Sequence, residues 1–431
     1  MSFINKISVV RKYKEKLNNK FSVIQNEILQ LSKENIELRL KIKKITGEKI
    51  NVIFVCHRPA VWGSLKTVYE TMKQDSFFNV KIVTIPNKKQ LPVLGLNHET
   101  YESEGAEDFW EGEDVIPGYN YETKEWLDLK SLEPDYVFFQ QPYNIERCQA
   151  QKSWEVAKYA KLAYVEYGYH TNHALALDCL PKNFIRNVSL FFLQNKTEKE
   201  WYDEYFKEID NNFTKMYITG FPRFDCLENY VNEQSICWKN NHNGRFRVIW
   251  TPRWTTNENN CNFFNYKDKF IDYCKQNETS VDFIFRPHPQ AFLNWIAEGE
   301  LTNEDVSKLN KIFDESNNMV IDKTKEYLTT FYSADCLVSD YSSVVPEFFL
   351  TGKPVLYCIN KNAVYNIEGE ITKGFYMIHN WNELEKTLLD LQNGIDPLKE
   401  IRKNLIKSEF LMTEETAGKR SSDIIKNDAM K

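Results

Sequence analysis

The chain has 431 residues, 42% apolar and 14% aromatic, which is ample for two packed cores and excludes a disordered or fibrous protein. Its formal charge of −6 argues against a general nucleic-acid binder, so none is expected as a partner. The nine cysteines (56, 148, 179, 226, 237, 261, 274, 336, 358) include no CxxC pair, which argues against a zinc site and for thiols of a reducing compartment. No signal segment and no membrane-length apolar run is read, and the expected location is the cytoplasm. Residues 1–50 nevertheless hold twelve Lys and Arg against five Glu, making a basic arm on an acidic body. In that arm Val10, Leu17, Ile24, Leu31, Leu38 and Ile45 recur every seven residues, with Phe21, Ile28, Asn35 and Ile42 four residues after members of the series and Lys14 breaking the first a position. The spacing predicts a helical coiled-coil-like arm over 1–47 that joins copies of the chain through residues 8–46. The competing reading is one amphipathic helix on the inner face of the membrane or docked on the body.

An N-terminal Rossmann-like domain is expected over 48–231. Lys49–Cys56 (KINVIFVC) reads as a buried parallel strand, followed by a helix over Ser64–Met72 and a strand over Val80–Pro86. The acidic stretch 87–125 reads as a long loop at the cleft border. Asp135–Gln141 is a further strand, Ser153–Ala160 a helix, and Leu162–Glu166 a strand that delivers Tyr167-Gly168-Tyr169-His170-Thr171-Asn172-His173 to the rim. Leu190–Leu193 and Met216–Thr219 complete the sheet. The turn Gly220-Phe221-Pro222-Arg223 follows, then an Asn-rich linker over Asn232–Gly244.

The second domain, 245–431, opens with Arg247–Thr251 and its trailing cation Arg253. A helix is read over Phe263–Gln276. The strand Val281–Phe285 runs into Arg286-Pro287-His288-Pro289, where two prolines stiffen a guanidinium and an imidazole at a strand end. Such a pair suits a phosphoryl group, which Arg286 grips by its fork and His288 meets with a hydrogen bond or a proton. The stretch Ala334–Tyr357 reads as strand, polar turn, helix, strand. Asp340, Ser342 and Ser343 lie in the turn, and Ser342 and Ser343 either capture an anion or only cap the helix. Trp381–Leu391 is an amphipathic helix, and the charged tail from Pro397 is expected to pack back across both domains and then fray.

RPHP at 286–289, SDYSS at 339–343 followed by PEFFLTGKPVLY, ITGFPRFD at 218–225 and IWTPRW at 249–254 together resemble the CDP-glycerol glycerophosphotransferase family, the teichoic-acid primases and polymerases. The resemblance implies an α/β glycosyltransferase-B (GT-B) architecture of two facing Rossmann-like domains. It also implies transfer of glycerol phosphate or ribitol phosphate from a CDP-activated donor to a hydroxyl of a lipid-linked or polymeric glycan, with release of CMP. The donor would be held by Arg286, Ser342, Ser343, Asp340, Arg253 and Arg223, with Glu347 on the ribose hydroxyls and His288 on the leaving phosphate. In the family a His-Gly pair supplies the catalytic base. Here glycine precedes the histidine, which makes His170 the candidate, with His173 and Glu166 as rivals. No D-x-D spacing occurs, so neither a metal nor a cofactor is implied. Two other readings stand: a GT-B enzyme using a nucleotide sugar, and a non-catalytic coiled-coil scaffold that keeps the fold without its site.

Overall fold

The computed structural model describes residues 30–93, 96–103, 105–230, 237–241, 243–324 and 327–431. In the first half lie β1 (Ile50–Cys56), β2 (Phe78–Thr84), β3 (Asn87–Val93), β4 (Leu96–Glu102), β5 (Val115–Pro117), β6 (Tyr119–Asn120), β7 (Glu125–Trp126), β8 (Tyr136–Phe139), β9 (Lys161–Val165), β10 (Val188–Leu193) and β11 (Lys215–Ile218). The second half carries β12 (Phe246–Thr251), β13 (Val281–Phe285), β14 (Met319–Ile321), β15 (Cys336–Ser339), β16 (Val355–Cys358) and β17 (Phe375–Ile378).

Two parallel sheets result, ordered β11-β10-β9-β8-β1-β2-β5 and β14-β13-β12-β15-β16-β17. Numbered along the chain, each starts at a central strand, winds outward to one side and then crosses to the other, as doubly wound sheets do. The switch points fall between β1 and β8 and between β12 and β15, where crevices open at the carboxyl ends of the strands. The apolar runs are continuous because both faces are covered. Val52, Phe54 and Cys56 enter one cluster while Ile53 and Val55 enter another, and Val248 and Trp250 are likewise separated from Ile249. This is the two-domain α/β arrangement of the GT-B architecture. Among the described residues no helix is long and apolar enough to cross a membrane.

The chain crosses between the domains twice. After β11, Gly220 turns with φ +84° into the 3-10 stretch Pro222–Tyr230. Beyond Phe410 the chain returns, and the helix Ala417–Ala429 lies on the helix Lys66–Gln74 of the first domain. Gly418 makes that approach feasible, since a Cβ there would stand 2.5 Å from the Thr67 carbonyl carbon. Asp428 then accepts from Tyr136 Oη at 2.9 Å and pairs with Lys161 at 2.7 Å. The tail therefore packs back as expected, but it stays ordered to its end because Ile425 and Ala429 are buried.

Three further expectations change. The stretch 87–125 is not a loop throughout: β3 and β4 form an antiparallel hairpin, β5 extends the first sheet and β6 pairs with β7. β3 and β4 are seven residues long but largely polar, and β5, β6 and β7 are only two or three residues, so none carries an apolar run of strand length to announce it. The helices read over 64–72 and 153–160 are Lys66–Gln74, preceded by the 3-10 turn Pro59–Ser64, and Ser153–Val156. The arm forms a helix over 30–46 docked on the body through Ile36 and Leu40, with Arg39 and Lys43 on the buried Asp135 at 2.9 and 2.7 Å. Leu31, Asn35, Leu38, Ile42 and Ile45, the heptad positions, all face solvent. The positions Val10, Leu17, Phe21, Ile24 and Ile28 lie outside the described residues.

Candidate active site between the two sheets

The loop after β9 is built from within the first domain. Gln194, at the end of β10, accepts from His170 N at 3.1 Å and donates to Gly168 O at 2.6 Å. Tyr169 stacks on Phe410 at 5.3 Å and packs against Phe224, so both crossings brace it. His170 is thereby held at the rim with its ring mostly covered. Its Nε2 stands 3.4 Å from Glu166 Oε2, while Glu166 also accepts from Tyr164 and Tyr202 hydroxyls at 3.0 Å each. A carboxylate held at both oxygens is placed to orient the imidazole beside it. The rival His173 packs on Trp201 with ring centroids 5.6 Å apart.

The second domain closes on this loop directly. Glu368 N donates to Thr171 O at 2.7 Å, and its carboxylate accepts from Asn172 Nδ2 at 2.9 Å and His173 N at 3.0 Å. Tyr341 hydrogen bonds to Thr171, and the Arg253 guanidinium lies 5.4 Å over the Tyr341 ring. Arg253 is held in two-toothed fashion by Glu258 at 2.7 and 2.9 Å. His288 stacks on the neighbouring Trp254 at 5.2 Å. Its Nδ1 accepts from Gln290 N at 3.2 Å, so the neutral ring carries its proton on Nε2. Burial, then the nearby Arg253 charge, push the His288 pKa below its ordinary 6.5. Asp340 is fully buried and accepts from Arg253 N, Asn262 N and Asn262 Nδ2 at 2.8–3.0 Å, tying the loops after β12 and β15 together. Burial lifts its pKa to about 6 against those hydrogen bonds. Ser343 opens the helix Val344–Phe349 without a side-chain cap bond and is exposed, while Ser342 Oγ accepts from Val344 N at 3.5 Å.

A second cluster joins the remaining candidates. Arg286 pairs with Asp322, donates to Thr324 O at 2.8 Å and lies 4.8 Å over the Tyr327 ring. Tyr327 donates to Glu347, whose other oxygen receives Arg223 Nε at 2.7 Å. Each of the three arginines is thus set by a carboxylate and keeps donors in reserve, since a guanidinium has five. The partners Asp322, Glu258, Tyr327 and Glu368 escaped sequence reasoning. An acidic residue just beyond β14, at Asp322, was the one local signal available.

Residues 171–380 match the family model for CDP-glycerol:poly(glycerophosphate) glycerophosphotransferases. The chain is related to that family. The matched segment contains Arg223, Arg253, Arg286, His288, Asp340, Ser342, Ser343 and Glu347, and His170 stands one residue before it. Among solved structures, the wall teichoic acid polymerase TagF superposes with a TM-score of 0.53 at 13% identity over 97% of this chain and 98% of that one. A putative UDP-N-acetylglucosamine 2-epimerase from Listeria monocytogenes does so with 0.58 at 14% identity, over 88% and 96%. A UDP-GlcNAc 2-epimerase from Neisseria meningitidis bound to UDP-GlcNAc gives 0.53 at 13%, over 88% and 99%. At such identities the likeness is one of fold. No curated protein matches the chain.

Proposed function

We propose that the chain transfers a CDP-activated polyol phosphate, glycerol or ribitol phosphate, to a hydroxyl of a polymeric or lipid-linked glycan. The observation that carries this is the meeting of the loop after β9, which bears His170, with the loops after β12 and β15: Tyr341 hydrogen bonds to Thr171 and lies under the Arg253 guanidinium, and Asp340 accepts from Arg253 N. The acceptor oxygen attacks the β-phosphorus and its proton passes to His170 Nδ1. The bond from that phosphorus to the bridging oxygen breaks, and CMP leaves with the oxygen. Arg286, Arg253 and His288 Nε2–H stabilise the charge that develops on the leaving phosphate, while Ser342 and Ser343 offer hydroxyl donors. Asp340 positions the loops. Arg223 and Glu347 hold each other at the junction, and Tyr327 takes the second Glu347 oxygen. Catalysis is then by positioning and charge, without a covalent intermediate.

The arm supports a further part of this reading. Its outward Leu31, Leu38, Ile42 and Ile45 form an apolar row that serves self-association or recruitment to an anionic membrane surface. A second reading, a nucleotide-sugar enzyme, is favoured by the fold shared with the UDP-GlcNAc-bound epimerase. Incubating the full chain with CDP-glycerol, CDP-ribitol and UDP-sugars, with a glycan acceptor, separates them. CMP release with polyol phosphate in the product supports the first. Turnover of UDP-sugars alone sinks it, and no turnover of any donor leaves the scaffold reading.

A further inference from the structure

A cavity of about 110 Å³ lies under the arm helix at the amino ends of β9, β10 and β11, the sheet edge opposite the reaction cleft. Lys33, Lys161, Arg186 and Lys215 line it with only Glu37 and Asp428 to balance them. Lys161 occupies both carboxylates, at 2.6 Å from Glu37 and 2.7 Å from Asp428. Lys215 reaches Asp428 only at 3.9 Å, and Arg186 gives one donor to Ile209 O. The Lys33 ammonium sits 3.5 Å from the centre of the Phe213 ring, with no carboxylate in ion-pair range among the described residues. Burial lowers its pKa, the mark of a charge withdrawn from water without a counterion. Two positive charges are left over in a recess walled by Ile36, Leu190 and Phe213. A water needs about 10–15 Å³ of such space, so the recess admits a tetrahedral oxyanion in place of several waters.

We propose that this recess binds a phosphate group, either free or as the headgroup of an anionic phospholipid, at a site separate from the reaction cleft. Lys33, Lys215 and Arg186 supply the charge-assisted donors, and the apolar wall leaves room for the first carbons of an ester. The site does not depend on the reaction proposed above.

The test is calorimetric titration of the full chain with inorganic phosphate and with dihexanoyl phosphatidylglycerol kept below its micellar concentration. Lys33→Glu should weaken the binding by roughly tenfold or more, and Lys215→Gln by a few-fold, as loss of hydrogen bonds to a charged group does. Lys41→Glu, on the exposed face of the same helix, makes the same charge change outside the recess and should leave it intact. Phosphate held in the cleft is insensitive to Lys33 and remains as a residual. Lys33-sensitive binding of inorganic phosphate identifies the free anion, and Lys33-sensitive binding of the lipid alone identifies a headgroup. The proposal is overturned if neither ligand shows Lys33-sensitive binding, or if Lys41→Glu weakens binding equally.

Discussion

Glu166 Oε2 lies 3.4 Å from His170 Nε2, and tyrosine hydroxyls hold both oxygens of that carboxylate. The ring can therefore present only Nδ1 away from the carboxylate, which is the nitrogen an acceptor hydroxyl would meet. Such a contact is long for a hydrogen bond, as is common at catalytic pairs before the substrate arrives.

His170→Ala should lower kcat by roughly 10²–10⁴-fold with little change in donor KM, since the proton moves in the transition state. Glu166→Gln keeps the shape but removes the orienting charge, and its loss should be smaller, about tenfold, and again confined to kcat. Steady-state kinetics on both variants decide it: an unchanged kcat with a raised KM would place the pair in binding instead.

In the proposed reaction Arg286 would turn its remaining N–H donors to a phosphate, while Asp322 and Thr324 hold its two terminal nitrogens. Arg286→Ala should cost roughly a hundredfold in kcat/KM, as removal of a preorganised charge donor does. Arg286→Lys should recover little of it, because an ammonium cannot reproduce the planar fork. Full activity in the lysine variant would show that only charge is needed.

His288 has a pKa lowered from 6.5 by burial and by Arg253. The unfolded chain then takes up this proton before the folded one. The stability contribution is complete above pH 6.5 and is lost as pH falls through the lower folded value. The difference in Tm between the wild type and His288→Gln should shrink as pH falls from 7.5 to 5. Nitrogen chemical shifts should report the Nε2–H tautomer at pH 7.5.

Asp340 has the opposite sign. Burial raises its pKa to about 6 from 3.8, so its contribution is complete below 3.8 and is lost as pH rises through about 6. The wild type should lose stability relative to Asp340→Asn between pH 4 and pH 7 in urea unfolding. Asp340→Ala, which strands the Arg253 and Asn262 donors, should cost roughly 1–3 kcal/mol at any pH in that range.

The arm has two faces with separable roles. Leu40→Ala on the docked face should destabilise the protein by about 2–5 kcal/mol, as core truncations do. Changing Leu31, Leu38, Ile42 and Ile45 together to Ser should barely move the Tm but should abolish self-association or binding to anionic vesicles. Light scattering and vesicle sedimentation read those two outcomes, and turnover of a soluble acceptor should stay unchanged. If neither association changes, the outward row has no partner.

The central strands were legible because a strand buried on both faces is an unbroken apolar run, as in Ile50–Cys56, Phe246–Thr251 and Val281–Phe285. The rim residues were legible because proline, glycine and serine punctuate the strand ends at 220–223, 286–289 and 339–343. Their partners were not. Asp322 lies 36 residues beyond Arg286, and Glu368 lies 195 beyond His173, so only the tertiary fold names them. The arm was read in part, since a seven-residue apolar repeat identifies a helix with an apolar face but does not say which second face the body covers. Ile36 and Leu40 fall outside that repeat, and they are the residues that dock.

Asp225 accepts from Ala417 N and Gly418 N at 2.8 and 2.9 Å and from the Thr67 hydroxyl, so one carboxylate staples the outgoing crossing, the returning crossing and the first domain together. Two crossings fastened side by side put this junction where a hinge between the domains would lie. His170 follows Tyr169, which packs on Phe224 and Phe410 at that junction. A group near a pivot travels little when the jaw opens. In the proposed reaction His170 would then keep its place while the loops bearing Arg286 and His288 moved with the second domain.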